Sequence, residues 1–229
     1  MERPFDIQLE KLKTKLIKMC SLVDEQVEFM IKAVEEENES LAVMVLERDH
    51  KVDKYDLKIE RICQKLFALN QPVAMDLRLI MSALKINTNL ERIGDLTVNI
   101  CRDVIEMKSK PPFYDKIQFS ESASIAREMI KSAIDAFIEK DAELSKKVLL
   151  SDDKLDDIVT ENSRILADVM KKDPELVDSA LRYFSIFQEI ERLGDHATNI
   201  AEEVYFIVKA ETIKHRQEEA FSDDDIDGY

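Results

Sequence analysis

The sequence is short of the residues that punctuate a chain. Its 229 residues include three glycines, five prolines and no tryptophan. Sandwiches and barrels consume turn residues at every strand connection, so this composition argues against them. No glycine-rich stretch is present to cradle phosphates, which speaks against a nucleotide-binding loop. Cysteine is scarce as well: Cys20, Cys63 and Cys101 show no C-x-x-C spacing and have no partner in the second half. A disulfide framework or a structural zinc site is not expected from that set, and a reducing cytosol is. Apolar neighbours, as in Leu16-Ile17-Lys18-Met19-Cys20, suit a small buried hydrophobe. Basic charge is the next shortage, with 33 Lys and Arg against 48 Asp and Glu and a net charge of −15. Neutralising nucleic-acid phosphates requires the opposite excess. Acidic partners are repelled, whereas cations and basic protein surfaces are not. No run approaches the roughly 20 apolar residues that span a bilayer. The N-terminus, Met1 to Asp6, carries no apolar run with a small-residue cleavage site. A cytoplasmic protein is expected, reaching a membrane only through a partner.

What is present is helical periodicity. Apolar residues recur in steps of three and four at Leu9, Leu12, Leu16, Met19, Val23, Val27, Met30 and Val34. A polar break over Glu37–Ser40 precedes a second run through Leu41, Val45, Val52, Leu57, Ile62 and Leu66. Asn70-Gln71-Pro72 then reads as a capping residue with proline just inside a third helix, which runs to Lys110 before Pro111-Pro112. The pattern repeats from Ile117 to Glu139, from Leu144 to Lys172, and from Asp173-Pro174-Glu175 to about Ala210. The fold class expected is all-α, six long helices arranged as a tandem pair of three-helix bundles. Residues 5–110 form the first repeat and 117–210 the second. Residues 211–229, with seven acids and two bases, read as a disordered, solvated tail.

The duplication is legible residue by residue. Leu90-Glu91-Arg92-Ile93-Gly94-Asp95 returns one hundred residues later as Ile190-Glu191-Arg192-Leu193-Gly194-Asp195, and Asn99-Ile100 returns as Asn199-Ile200. Asp49-His50-Lys51-Val52-Asp53 returns as Asp152-Asp153-Lys154-Leu155-Asp156, at an offset of 103. Helix geometry puts Glu91, Asp95 and Asn99 on one stripe. Acidic pairs at that spacing repel by a few tenths of a kcal/mol, and a mid-helix glycine costs about 1 kcal/mol against alanine. Both costs recur in the second copy. If the Asp49–Asp53 helix packs beside the Glu91–Asp95 helix, four carboxylates and an amide oxygen form a cage suited to hard cations such as Fe(III), Mn, Mg or Ca. The glycine-spaced motif also allows a plain structural account, in which Gly94 and Gly194 permit close helix crossing and Glu91 and Glu191 form salt bridges with Arg92 or Arg192 from elsewhere. Only Glu47-Arg48-Asp49-His50 fits the Glu-x-x-His spacing of ferritin-like di-iron sites, and the second repeat lacks it. His196 points about 100° from the acidic stripe, as a surface or packing residue.

The duplicated Glu-Arg-(Ile/Leu)-Gly-Asp-x-x-x-Asn-Ile motif resembles the PhoU family of phosphate-uptake regulators. So do Asn70-Gln71-Pro72-Val73-Ala74-Met75-Asp76-Leu77-Arg78 and the two Asp-x-x-x-Asp pairs, and agreement spans about residues 5–210. Thr97 and Cys101 stand where the family often carries alanine. The resemblance implies a cytoplasmic homodimer that restrains phosphate import and starvation signalling. Its implied partners are the ATP-binding subunit of the phosphate ABC transporter and a phosphate-sensing histidine kinase. It further implies metal ions on the acidic motifs, iron foremost, with Mn, Mg, Ca or Zn as other occupants. By position, Asp49, Asp53, Glu91 and Asp95 make one site and Asp152, Asp156, Glu191 and Asp195 the other, with Asn99 and Asn199 as lesser candidates. Three unrepeated histidines and no nucleophile–base constellation speak for a non-catalytic regulator. A carboxylate-bridged metalloenzyme, either a phosphohydrolase or an oxidase, is the competing reading. An iron-storage or purely structural bundle is the third.

Overall fold

The computed structural model describes residues 4–107 and 109–213. Six long helices make it up: α1 (Pro4–Glu35), α2 (Glu39–Leu69), α3 (Ala74–Met107), α4 (Phe119–Glu139), α5 (Ala142–Lys172) and α6 (Val177–Lys209). Among the described residues there is no strand. The periodic stripe of α1 turns inward in full, and all eight of its apolar positions are buried. Each such side chain contributes about 1.5–3 kcal/mol through removal from water. The run on α2 is less regular, because Leu57 is 49% exposed while Val45, Val52 and Leu66 are buried.

Scarcity of glycine shapes the helix ends. Glycine usually supplies the left-handed residue that closes a helix, but here Glu37 (φ 53°), Lys140 (φ 58°) and Ala210 (φ 64°) do so. Glu37 and Lys140 are followed by matched caps. Asn38 accepts a hydrogen bond from the Leu41 amide at 3.2 Å, and Asp141 accepts from the Glu143 and Leu144 amides at 2.9 and 3.0 Å. Both caps satisfy amides that a helix start leaves unbonded.

Two helix starts differ from the sequence expectation. Asn70 closes α2 instead of capping α3; its backbone is extended, and the stretch from Gln71 to Val73 carries no helix. Proline disfavours helical geometry in the residue before it, so Pro72 holds the chain open and α3 begins at Ala74. Asp173 does cap as expected, accepting from the Glu175 amide at 3.0 Å. The turn it starts, Pro174–Leu176, is a 3-10 helix that runs into α6. Between the repeats, Tyr114–Lys116 forms another 3-10 turn. It is pinned by Phe113 and Tyr114, each with its ring centroid 5.8 Å from that of Tyr183.

Each repeat packs its three helices against one another, and the repeats meet along α3 with α6 and α1 with α4. The buried side chains of both form one continuous core. Polar links lie on the α3–α6 seam at equivalent positions. Ser82 and Lys85 donate to the buried Glu203 at 2.8 and 2.7 Å, and Arg182 reaches Asp103 at 3.3 Å and Glu106 at 2.6 Å. Positions 82 and 182, and 103 and 203, are one repeat apart. Glu211–Ile213 belong to the described chain, and Ile213 is buried; the remainder of the expected tail, 214–229, lies outside the described residues.

Candidate functional site

The acidic motifs sit where the second and third helices of each repeat run side by side. Gly94 and Gly194 set that approach. A Cβ on Gly94 would stand 3.3 Å from Asp49 Oδ1, and one on Gly194 would stand 3.4 Å from Asp152 Oδ1 and 2.5 Å from Leu155 Cδ2. Each glycine therefore makes the floor on which one aspartate of the neighbouring helix rests.

In the first repeat, burial pushes the Asp49 carboxyl above the usual range, aided by the charges of Asp53 and Asp95 and opposed by a hydrogen bond from Gln26. Gln26 Nε2 lies 3.4 Å from Asp49 Oδ1. Glu91 is raised by burial and then by Asp95, with Asp56 and Asp53 adding to it. Arg92 partly offsets this cluster, at 3.5 Å from Glu91 and 3.1 Å from Asp95. Asp56 is a carboxylate the motif reading missed. It accepts from Asn87 Nδ2 at 2.6 Å and is itself raised by burial. The signal was its place three residues beyond Asp53, but the second repeat has Val159 there, so repetition did not flag it.

The second cluster is more strongly charged. Asp152 is pushed up to about 6 by burial and then by Asp156, Asp195, Asp153 and Glu191. Burial and neighbouring carboxylates also raise Asp156 and Glu191. Arg192 turns back to Glu189 at 3.2 Å instead of meeting this cluster. The structural account of the motif holds in part: both glycines allow the close approach and Glu91 does meet Arg92, but as its neighbour on the same helix, while Arg192 takes Glu189. Each arginine has an i,i+3 partner on its own helix within reach. The position equivalent to Gln26 is Met129, whose Cε lies 3.6 Å from the Cβ position on Gly194. A thioether offers no N–H, and Asp152 Oδ1 is buried without a hydrogen-bond partner.

The structure thus brings Asp49, Asp53, Glu91 and Asp95 into one electrostatic cluster and Asp152, Asp156, Glu191 and Asp195 into another. The two asparagines stand differently. Asn99 Oδ1 accepts from Arg102 at 3.0 Å, and the Asn99 side chain also serves Glu189 across the α3–α6 seam. Asn199 is exposed on α6. His196 faces the seam, with Nδ1 2.8 Å from Asn89 Oδ1. Among the described residues, no three His, Cys, Asp or Glu side chains converge closely enough to chelate one ion as they stand. The donor chemistry nonetheless fits a hard cation: every candidate ligand is an oxygen, and one of them, Asp152 Oδ1, is buried and unbonded over a glycine.

A duplicated helical bundle bearing one acidic cluster per repeat, each seated over a mid-helix glycine, defines the class. The family model described as the PhoU domain matches residues 16–104 and 119–204. The chain belongs to the PhoU family. It is 34% identical over 209 residues to the phosphate-specific transport system accessory protein PhoU homolog of Aquifex aeolicus, covering 91% of this chain and 95% of that one. It is 31% identical to the phosphate-specific transport system accessory protein PhoU of Serratia marcescens, over 92% of this chain and 87% of the relative. The crystal structure of PhoU from Pseudomonas aeruginosa superposes with a TM-score of 0.87 at 32% identity, covering 90% of this chain and all of that one. No helix among the described residues is long and apolar enough to cross a membrane.

Proposed function

We propose that this protein is a negative regulator of phosphate uptake and phosphate-starvation signalling, acting through protein contacts and not through catalysis. The observation that carries this reading is the pair of acidic clusters displayed on the surface of a fold shared with accessory proteins of phosphate transport. Asp53, Asp156 and Asp195 are exposed and Asp95 is half-buried, which suits docking on a basic protein surface better than enclosing a substrate. The proposed setting is the cytoplasm. The proposed partners are the ATP-binding subunit of the phosphate ABC transporter, a phosphate-sensing histidine kinase and a second copy of this chain.

The acidic clusters are the proposed metal sites. Asp49, Asp53, Glu91 and Asp95 would hold one, and Asp152, Asp156, Glu191 and Asp195 the other. A bound cation, iron foremost, would cancel the mutual repulsion of the carboxylates and fix the second helix of each repeat to the third. Closing on an ion requires rotation of exposed aspartates, which costs little because few rotamers are lost. Purified protein is expected to carry bound metal by elemental analysis. Glu91→Gln with Asp95→Asn should empty the first site and Glu191→Gln with Asp195→Asn the second; stoichiometric metal that survives both pairs would sink the assignment. For the regulatory role, a deletion strain grown with ample phosphate should take up phosphate at the derepressed rate. Normal repression in that strain would rule the role out.

A further inference from the structure

Against the acidity of the whole chain, the outer face of the first repeat is basic. Lys51, Lys54, Lys58, Arg61 and Lys65 recur along α2 in steps of three and four, and all five are exposed. Lys15 and Lys18 of α1 flank the same face. Lys18, Lys51, Lys54 and Lys58 line a shallow groove together with Tyr55. Lys15 and Lys58 lie over the Tyr55 ring, at 5.6 and 5.3 Å from its centroid. None of these seven cations forms an ion pair among the described residues, whereas Lys13 pairs with Glu10 and Arg48 with Glu25.

The fold does not require this stripe. The equivalent positions on α5 are Lys154, Asp157, Glu161, Arg164 and Asp168, and there Lys154 pairs with Glu121 and Arg164 with Glu161. A row of like charges at helical spacing destabilises a helix by a few tenths of a kcal/mol per pair. The first repeat carries that cost without local neutralisation, and the second does not.

We propose that the stripe is the docking site of this chain's own acidic segment, residues 218–227. Six of those ten residues are Glu or Asp, with Phe221 and Ile226 among them. The reach is sufficient. Val204, Ile207 and Val208 near the end of α6 share a groove with Lys13 and Ile17 of α1, so the chain leaves α6 beside α1, one helix away from the stripe. The ten residues from Ile213 to Asp223 extend up to about 35 Å, and crossing a helix takes only about 10–12 Å. Tethering holds the segment at an effective concentration of order millimolar. An untethered anionic surface must instead approach against the field of a chain of net charge −15. The docked segment screens the stripe, and an acidic partner that used this face would have to displace it.

The test is zero-length carbodiimide cross-linking of the dilute full-length protein, with peptides from the monomer band mapped by mass spectrometry. Carboxylates at 218–227 are expected to link to Lys18, Lys51, Lys54 and Lys58, with a several-fold loss of yield in high salt. Lys54→Glu with Lys58→Glu should abolish the links to the remaining stripe lysines, with folding checked by circular dichroism. If that pair unfolds the chain, Asp223→Asn, Asp224→Asn and Asp225→Asn together, which alter only residues beyond Ile213, should give the same loss. Absence of links, or links from the segment only to lysines elsewhere such as Lys13 or Lys140, would overturn the proposal. Links found only between isotopically distinct copies would overturn it in favour of a second chain. Stripe-dependent binding of the full chain to phosphatidylserine vesicles without such links would assign the face to anionic lipid instead.

Discussion

Asp49 and Asp152 occupy equivalent positions, yet the first helix of each repeat gives them different neighbours. Gln26 offers Asp49 an amide, and Met129 offers Asp152 nothing. The consequence is a measurable dependence on pH in metal-free protein. The Asp152 carboxyl binds its proton more tightly folded, at about 6, than at the ordinary value near 3.8. Its contribution to stability is therefore present below the lower value and lost as pH rises through the higher one. With chelator present, Asp152→Asn is expected to raise stability at pH 7 by about 1 kcal/mol, a reduced value because the residue is partly solvated, and to change it little at pH 4. Denaturant midpoints at both pH values check this; a variant less stable than the parent at pH 7 would contradict it.

At the scale of elements, the seam between α3 and α6 depends unequally on its polar links. Glu203 is 5% exposed and accepts from Ser82 and Lys85. Glu203→Ala strands the buried Ser82 hydroxyl and is expected to lower stability by about 2–3 kcal/mol. Arg182→Ala, at a more exposed link, should cost less than about 1 kcal/mol. Equal losses in denaturant unfolding would show that burial does not set the difference. The sequence made the elements themselves legible. The α1 stripe, the breaks at Glu37 and Lys140 and both Gly-Asp motifs carry local signals, in periodicity, capping and repetition. The start of α3 was ambiguous because Asn70 and Pro72 serve equally to end one helix or to open the next. The asymmetry of the two acidic clusters was illegible for another reason: Gln26 and Met129 act across space, on helices more than twenty residues away in the chain.

For the molecule as a whole, one buried core runs through both repeats, so neither repeat has a complete core of its own. Thermal unfolding of metal-free protein is expected as one transition, with calorimetric and van't Hoff enthalpies equal. Two resolved transitions would show that the repeats fold independently. The crossed links on the α3–α6 seam are reciprocal. Position 82 faces 203, and 182 faces 103, the reciprocity that defines a contact between two copies of one subunit across a symmetry axis. A single three-helix unit pairing with itself would have one residue at each of those places, and any substitution would strike both ends of the interface together. In the duplicated chain the two ends are separate residues, so one is a buried serine–glutamate bond and the other an open arginine clamp, each free to change alone.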